Sequence, residues 1–369
     1  MRMLKQALRT VILAVALGAG VVVAPAYATP VEQARQIVDA LDVARIEQFA
    51  ARLGVEDNEL TDSVINPGDY QCSAATPVRT WLAEQIASWT PLDRAYADLG
   101  QQLAVLDAVL FPAGDKFGLN GEYTQDVTKV FRDLKKFWDI DGSSIKVASL
   151  NSTVLLSQPR LSRLLQVLYG LPPQAVDPTA AALVTIYDQP QFDQGRHPFF
   201  SFNAFAQQGG LEIPGVGVIP DEILMGDGVL AGFAAVGLAD VSAKAIFAHE
   251  YGHHVQFRRN LFESDLTGPE ATRRTELMAD AFGSYYLTHA RGATMQWKRV
   301  RLFEQVFFQL GDCGFAAASH HGTPNQRLRA VDWGYDVADS AHKQGHVLPT
   351  LTFADLFDRK LPELVAPDA

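Results

Sequence analysis

Asp240 to Arg259 reads Asp-Val-Ser-Ala-Lys-Ala-Ile-Phe-Ala-His-Glu-Tyr-Gly-His-His-Val-Gln-Phe-Arg-Arg. It opens with an acid able to cap a helix, contains no proline and closes on two arginines, where cations suit the helix dipole. The pattern predicts a helix starting at Val241 and capped by Asp240. Within it lie His249, Glu250 and His253 as His-Glu-x-x-His. Residues four apart on a helix differ by about 40° in direction and sit one turn apart. Two imidazoles can therefore reach one metal ion from one face. Glu250 comes next along the helix, and its carboxylate can reach a metal-bound water without itself being a ligand. The bland alternative is a pair of solvent-facing histidines on a surface helix.

Two imidazoles and a water leave a tetrahedral Zn2+ one protein ligand short. The next segment able to supply it runs Glu270-Ala-Thr-Arg-Arg-Thr-Glu276-Leu-Met-Ala-Asp280-Ala-Phe-Gly283. Glu276 and Asp280 are four apart and share a helical face. Ala279 and Gly283 are small enough to let this helix approach the first closely. The expectation is Glu276 as third ligand and Asp280 as acceptor for a ring N–H of a ligating histidine, fixing its tautomer. Pairing of both acids with Arg273 or Arg274 on a solvated face is the alternative.

His-Glu-Tyr-Gly-His-His followed by Glu276-Leu-Met-Ala-Asp280 resembles the gluzincin zinc metallopeptidases. Asn203-Ala204-Phe205-Ala206 ahead of Gly209-Gly210 is similar to the strand and turn preceding the active helix in CAAX-protease-like gluzincins. His321-Gly-Thr-Pro-Asn-Gln-Arg327 resembles a downstream segment of bacterial neutral zinc metallopeptidases. The likeness covers about residues 195–335. It implies a zincin-like domain, a small sheet with an active-site helix and a third-ligand helix, hydrolysing peptide bonds in a peptide or protein substrate. Membrane-embedded members carry spanning helices that this chain lacks, so their prenylated substrates do not carry over. A non-catalytic zinc-binding or scaffold protein with a protease-like fold is the rival reading.

The resemblance also implies a donor that steadies the oxyanion. The candidates are Tyr251, His254, Tyr285, Tyr286, His289, His320 and His321, and the residues do not choose among them. Thr323 to Gln326 also reads as a capping box for a helix ending near Asp339. Asp221 to Met225 reads either as an ordinary sheet strand or as the strand to which an extended peptide adds.

The flanks set the context. Arg2, Lys5 and Arg9, the apolar run Val11 to Ala24 and Ala26-Tyr-Ala28 have the anatomy of a secretory signal peptide over residues 1–28. The apolar run falls short of the about 20 residues that span a bilayer. The chain is then expected to be secreted or periplasmic. Losing three positive charges and no negative ones would take the net charge from -11 to -14, which argues against a nucleic-acid partner. Cys72 and Cys313, the only two cysteines, suggest one disulfide in an oxidising compartment. A second use, Cys72 as a thiolate blocking the metal from a pro-segment, stays open.

Length, at roughly 150 residues per domain, allows about two domains. Thr29-Pro-Val-Glu32 starts a helical region to Gly54. Helices follow from Thr76 to Phe111, broken at Pro91, and from Tyr123 to Trp138. Beyond Asp141, short strands are expected at 145–147, 154–156, 199–206 and 221–225, with helices at 160–169 and 228–237. The fold class is α+β, mostly helical: a helical N-terminal region, 29–140, ahead of the zincin-like domain, 141–369.

Overall fold

The computed structural model describes residues 28–368 apart from 56–64, 74, 113, 115, 296 and 341–344. The expected leader, 1–28, lies outside the described residues except for Ala28. Among the described residues the chain is α+β and mostly helical, with thirteen α-helices and a small sheet. None of these helices is long and apolar enough to cross a membrane.

The N-terminal helices are α1 (Pro30–Asp39), α2 (Val43–Arg52), α3 (Pro77–Gln85), α4 (Pro91–Leu110) and α5 (Thr124–Phe137). Two of their starts were legible in the Thr-Pro pairs at Thr29 and Thr76, while Pro91 read only as a break; Thr29 and Thr90 each form a reciprocal capping box, with Glu32 and Asp93. The expected 31–54 helix is two helices, because the chain turns at Leu41–Asp42. Then come β1 (Lys146–Leu150), α6 (Gln158–Tyr169) and α7 (Pro173–Tyr187).

The strands β2 (Ala204–Gln207), β3 (Glu212–Ile213), β4 (Gly217–Val218) and β5 (Glu222–Gly226) precede a helical second half. That half comprises α8 (Asp227–Ala235), α9 (Ala239–Arg259), α10 (Gly268–Thr288), α11 (Trp297–Leu310), α12 (Pro324–Ser340) and α13 (Thr350–Leu364).

β5 is the middle strand of three, parallel to β1 and antiparallel to β2. Both its edges are taken, so it does not accept an added strand; among the described residues β2 is the edge strand on that side. Side chains alternate across a strand, and β5 uses this to serve two cores. Ile223 and Met225 join the core of α5 and α8–α13, while Leu224 joins that of α1, α2, α4, α6 and α7. Each core draws on both sides of residue 140: Val78 and Val127 share one with α8–α13, and Leu103 shares the other with Leu161 and Leu183.

Other expectations meet corrections. Residues 154–156 form a 3-10 turn, since Asn151 Oδ1 accepts from Thr153 N at 3.2 Å and curls the chain before a strand can extend. At 198–201 the chain also makes a 3-10 turn. Pro198 lacks an N–H and His197 Nδ1 accepts from Phe199 N, so only Ala204–Gln207 remains as strand. The cap of α9 is Leu238; Asp240 sits in the first turn and pairs with Arg299 at 2.8 Å. The bond Cys72–Cys313 forms as expected, with Cα atoms 5.8 Å apart. It leaves no thiolate to block a metal.

The second half is stacked tightly by small residues. A Cβ on Gly252 would lie 3.1 Å from Ala279 Cα, and one on Gly283 would lie 3.2 Å from His249 N. Thus α9 and α10 are in near-backbone contact at the turns carrying the site. On the other side of α10, Gly334 of α12 comes equally close to Ala281.

Candidate metal centre

His249 and His253 project from one face of α9, and Glu276 and Asp280 from the facing side of α10. His249 Nε2 lies 3.1 Å from His253 Nε2, and each is 3.4 Å from an oxygen of Glu276. His249, Glu250 and His253 also present ligand atoms within 4.8 Å of one another, a group able to hold a metal ion.

The tautomers decide what that triangle means. Gln256 Nε2 donates to Thr275 O at 2.7 Å, which leaves Gln256 Oε1 to accept from His253 Nδ1 at 2.8 Å. His249 Nδ1 lies 2.8 Å from Asp280 Oδ1, an oxygen that only accepts when ionised. His253 therefore carries its proton on Nδ1 and turns its Nε2 lone pair toward His249; burial would lower His249, but Asp280 and Glu276 push it up to about 10. Both oxygens of Glu276 join the two rings, Oε2 against His249 and Oε1 against His253. These electron-rich atoms converge at 3.1–3.4 Å, which is repulsive unless a cation or proton stands between them. Zinc with ligands at about 2.0–2.1 Å has tetrahedral edges of about 3.3–3.4 Å. The donor set fits such an ion.

The supports are buried. Arg327 Nε and Nη2 donate to Asp280 Oδ2 and Oδ1 at 2.7 and 2.6 Å, with both side chains shielded from solvent. Arg327 is delivered by the predicted cap of α12: Gln326 N donates to Thr323 Oγ1, and Thr323 N to Gln326 Oε1. Burial pushes the Glu250 carboxyl up to about 7; His249 opposes this and the charge of Glu276 adds to it. Burial would raise Glu276 as well, but His253, His321 and His249 hold it well below the usual carboxylate range.

The candidate donors separate by position. His321 is the one whose charge bears on both Glu276 and Glu250. Its Nδ1 lies 3.0 Å from Asp312 Oδ2, which also accepts its backbone N–H at 2.8 Å, and the side chain is 45% exposed. His320 is buried with Nδ1 on the other Asp312 oxygen at 2.6 Å. The remaining candidates face away from the site. Tyr285 accepts from Leu348 N and packs on Trp138; Tyr286 and His289 pack on Phe137. Tyr251 lies against Phe131, and His254 donates to Glu222 O of β5 at 2.9 Å.

Gln256, Arg327 and Asp312 went unassigned in the sequence reading. Gln256 carried a usable signal, being three residues past His253 on the same face. Asp312 carried none, since its partners lie across a loop. Comparison with protein-family models, curated proteins and solved structures finds no match to this chain.

Proposed function

We propose that this chain is an exported zinc-dependent peptidase, with a zincin-like catalytic half. The observation that carries the reading is the convergence of the Nε2 atoms of His249 and His253 on Glu276, with Gln256 bonded to His253 Nδ1 and Asp280 beside His249 Nδ1. His249, His253 and Glu276 would hold the ion. When bound, it would polarise a scissile carbonyl and acidify water.

The chain's own residues then do the proton work. Glu250, buried and poised near neutrality, takes a proton from the attacking water and passes it to the leaving amine nitrogen. His321, with Nδ1 fixed by Asp312, presents Nε2 to the oxygen on which charge develops. The free edge of β2 offers backbone groups to an extended peptide. The disulfide suits an oxidising compartment.

The test is Glu250→Gln assayed on denatured casein, with and without chelator. The expected result is full metal content with turnover reduced about 10²-fold or more. Wild-type turnover in that variant would overturn the assignment.

A further inference from the structure

Arg273 stands on α10 one turn before Glu276 and is 5% exposed. Its Nε and Nη1 are buried with no hydrogen-bond partner among the described residues. The acid nearest to its Nη2 is Glu270, at 3.9 Å and 30% exposed, beyond hydrogen-bond reach. The other buried arginines here behave differently. Arg327 spends its fork on Asp280, and the neighbouring Arg274 spends its own on Asp358, at 2.8 Å twice, and on Leu261 O. Leaving a guanidinium desolvated and unpaired is costly unless a ligand completes it.

Its position says which ligand. The Arg273 stem runs past Gly322: a Cβ there would lie 3.5 Å from Arg273 Cγ. Gly322 follows His321, and Thr272 beside Arg273 donates to Ala318 O of the same loop at 2.6 Å. Side chains on a helix lean toward its N-terminus, so the guanidinium extends from the Glu276 turn toward the start of α10, alongside the His321 loop. Nε and Nη1 can each give a carboxylate a charge-assisted hydrogen bond, and either one forms a bidentate edge together with Nη2.

We propose that Arg273 recognises a carboxylate on the bound peptide, and so sets the specificity of the site. The inference rests on the peptidase reading. The carboxylate can be an acidic side chain or the peptide's own C-terminus, and the test separates them.

Two pairs of fluorogenic peptides would be compared on the full chain: free acid against C-terminal amide, and internal Glu against internal Gln with amidated ends. Wild type should favour the carboxylate member of one pair by about 10- to 100-fold in KM, the range for hydrogen bonds to a charged group. The pair that discriminates names the source. In Arg273→Met the ratio should fall to about two-fold or less, and Arg273→Lys should restore part of it. Equilibrium binding of the same peptides to Glu250→Gln chain, with and without Arg273→Met, reads the preference without turnover. Discrimination in binding with no wild-type turnover would fault the peptidase reading and leave Arg273 standing. Turnover without discrimination would overturn Arg273 alone. Equal treatment of both pairs in both assays overturns it, as does a preference that survives Arg273→Met. A variant that melts higher with unchanged ratios would mark Arg273 as scaffold and overturn it too.

Discussion

Replacing Arg327 by Met should destabilise the metal-free protein by about 3–5 kcal/mol, the cost of removing one partner of a buried ion pair. The upper part of that range applies. Asp280 is fully buried and Arg327 is 2% exposed, with two hydrogen bonds of 2.6 and 2.7 Å between them, so solvent cannot re-solvate the carboxylate left behind. Lys129–Asp133, also at 2.7 Å but with Lys129 61% exposed, is the internal contrast. Lys129→Met should cost under about 0.5 kcal/mol. Arg327→Met/Asp280→Asn, which removes the stranded charge, should recover most of the loss. The assay is equilibrium urea unfolding of the chelator-stripped chain with its disulfide intact, so that metal linkage does not enter. A loss below about 1 kcal/mol in the single variant, or a double variant no better than the single, would refute the reasoning.

Two further perturbations test other parts of the fold. Glu222 on β5 is fully buried with neither oxygen partnered among the described residues, and burial, opposed by Lys146, pushes it up to about 7. A raised acid binds more protons folded than unfolded, so stability should fall as pH rises from about 4.5 to about 7, by on the order of 2–3 kcal/mol; Glu222→Gln should flatten that slope, and a parallel slope in thermal melts across this range would contradict it. Reducing Cys72–Cys313 with a dithiol opens a link across 241 residues, beside Asp312. The melting temperature should drop with a stability loss of about 2–5 kcal/mol, and an unchanged melt would show the bond to be dispensable.

Local chemistry wrote part of this structure plainly. Thr29 and Thr323 announced helix starts through side chains that bond their own turn, and His249, Glu250 and His253 share a helix whose geometry is fixed by sequence spacing. Glu276 and Asp280 were legible because one helical face carries both. What turned on competing local bonds or on distant partners was not. Residues 154–156 have strand-like composition, yet Asn151 Oδ1 accepts from Thr153 N and curls the chain before it can extend. The helix α7 was not foreseen: Pro173 stands at its first position and it accommodates Pro178. That His321 lies near Glu250 and Glu276 while Tyr285, Tyr286 and His289 pack on Phe137 and Trp138 needed the fold, because loop and helix meet there only in three dimensions.

The most direct test of the central claim is elemental analysis of the purified full chain beside Glu276→Ala. One zinc per chain in the wild type, largely lost from the folded variant, is the predicted result. A metal-free wild type, or a variant that keeps its full equivalent of zinc, would contradict the account.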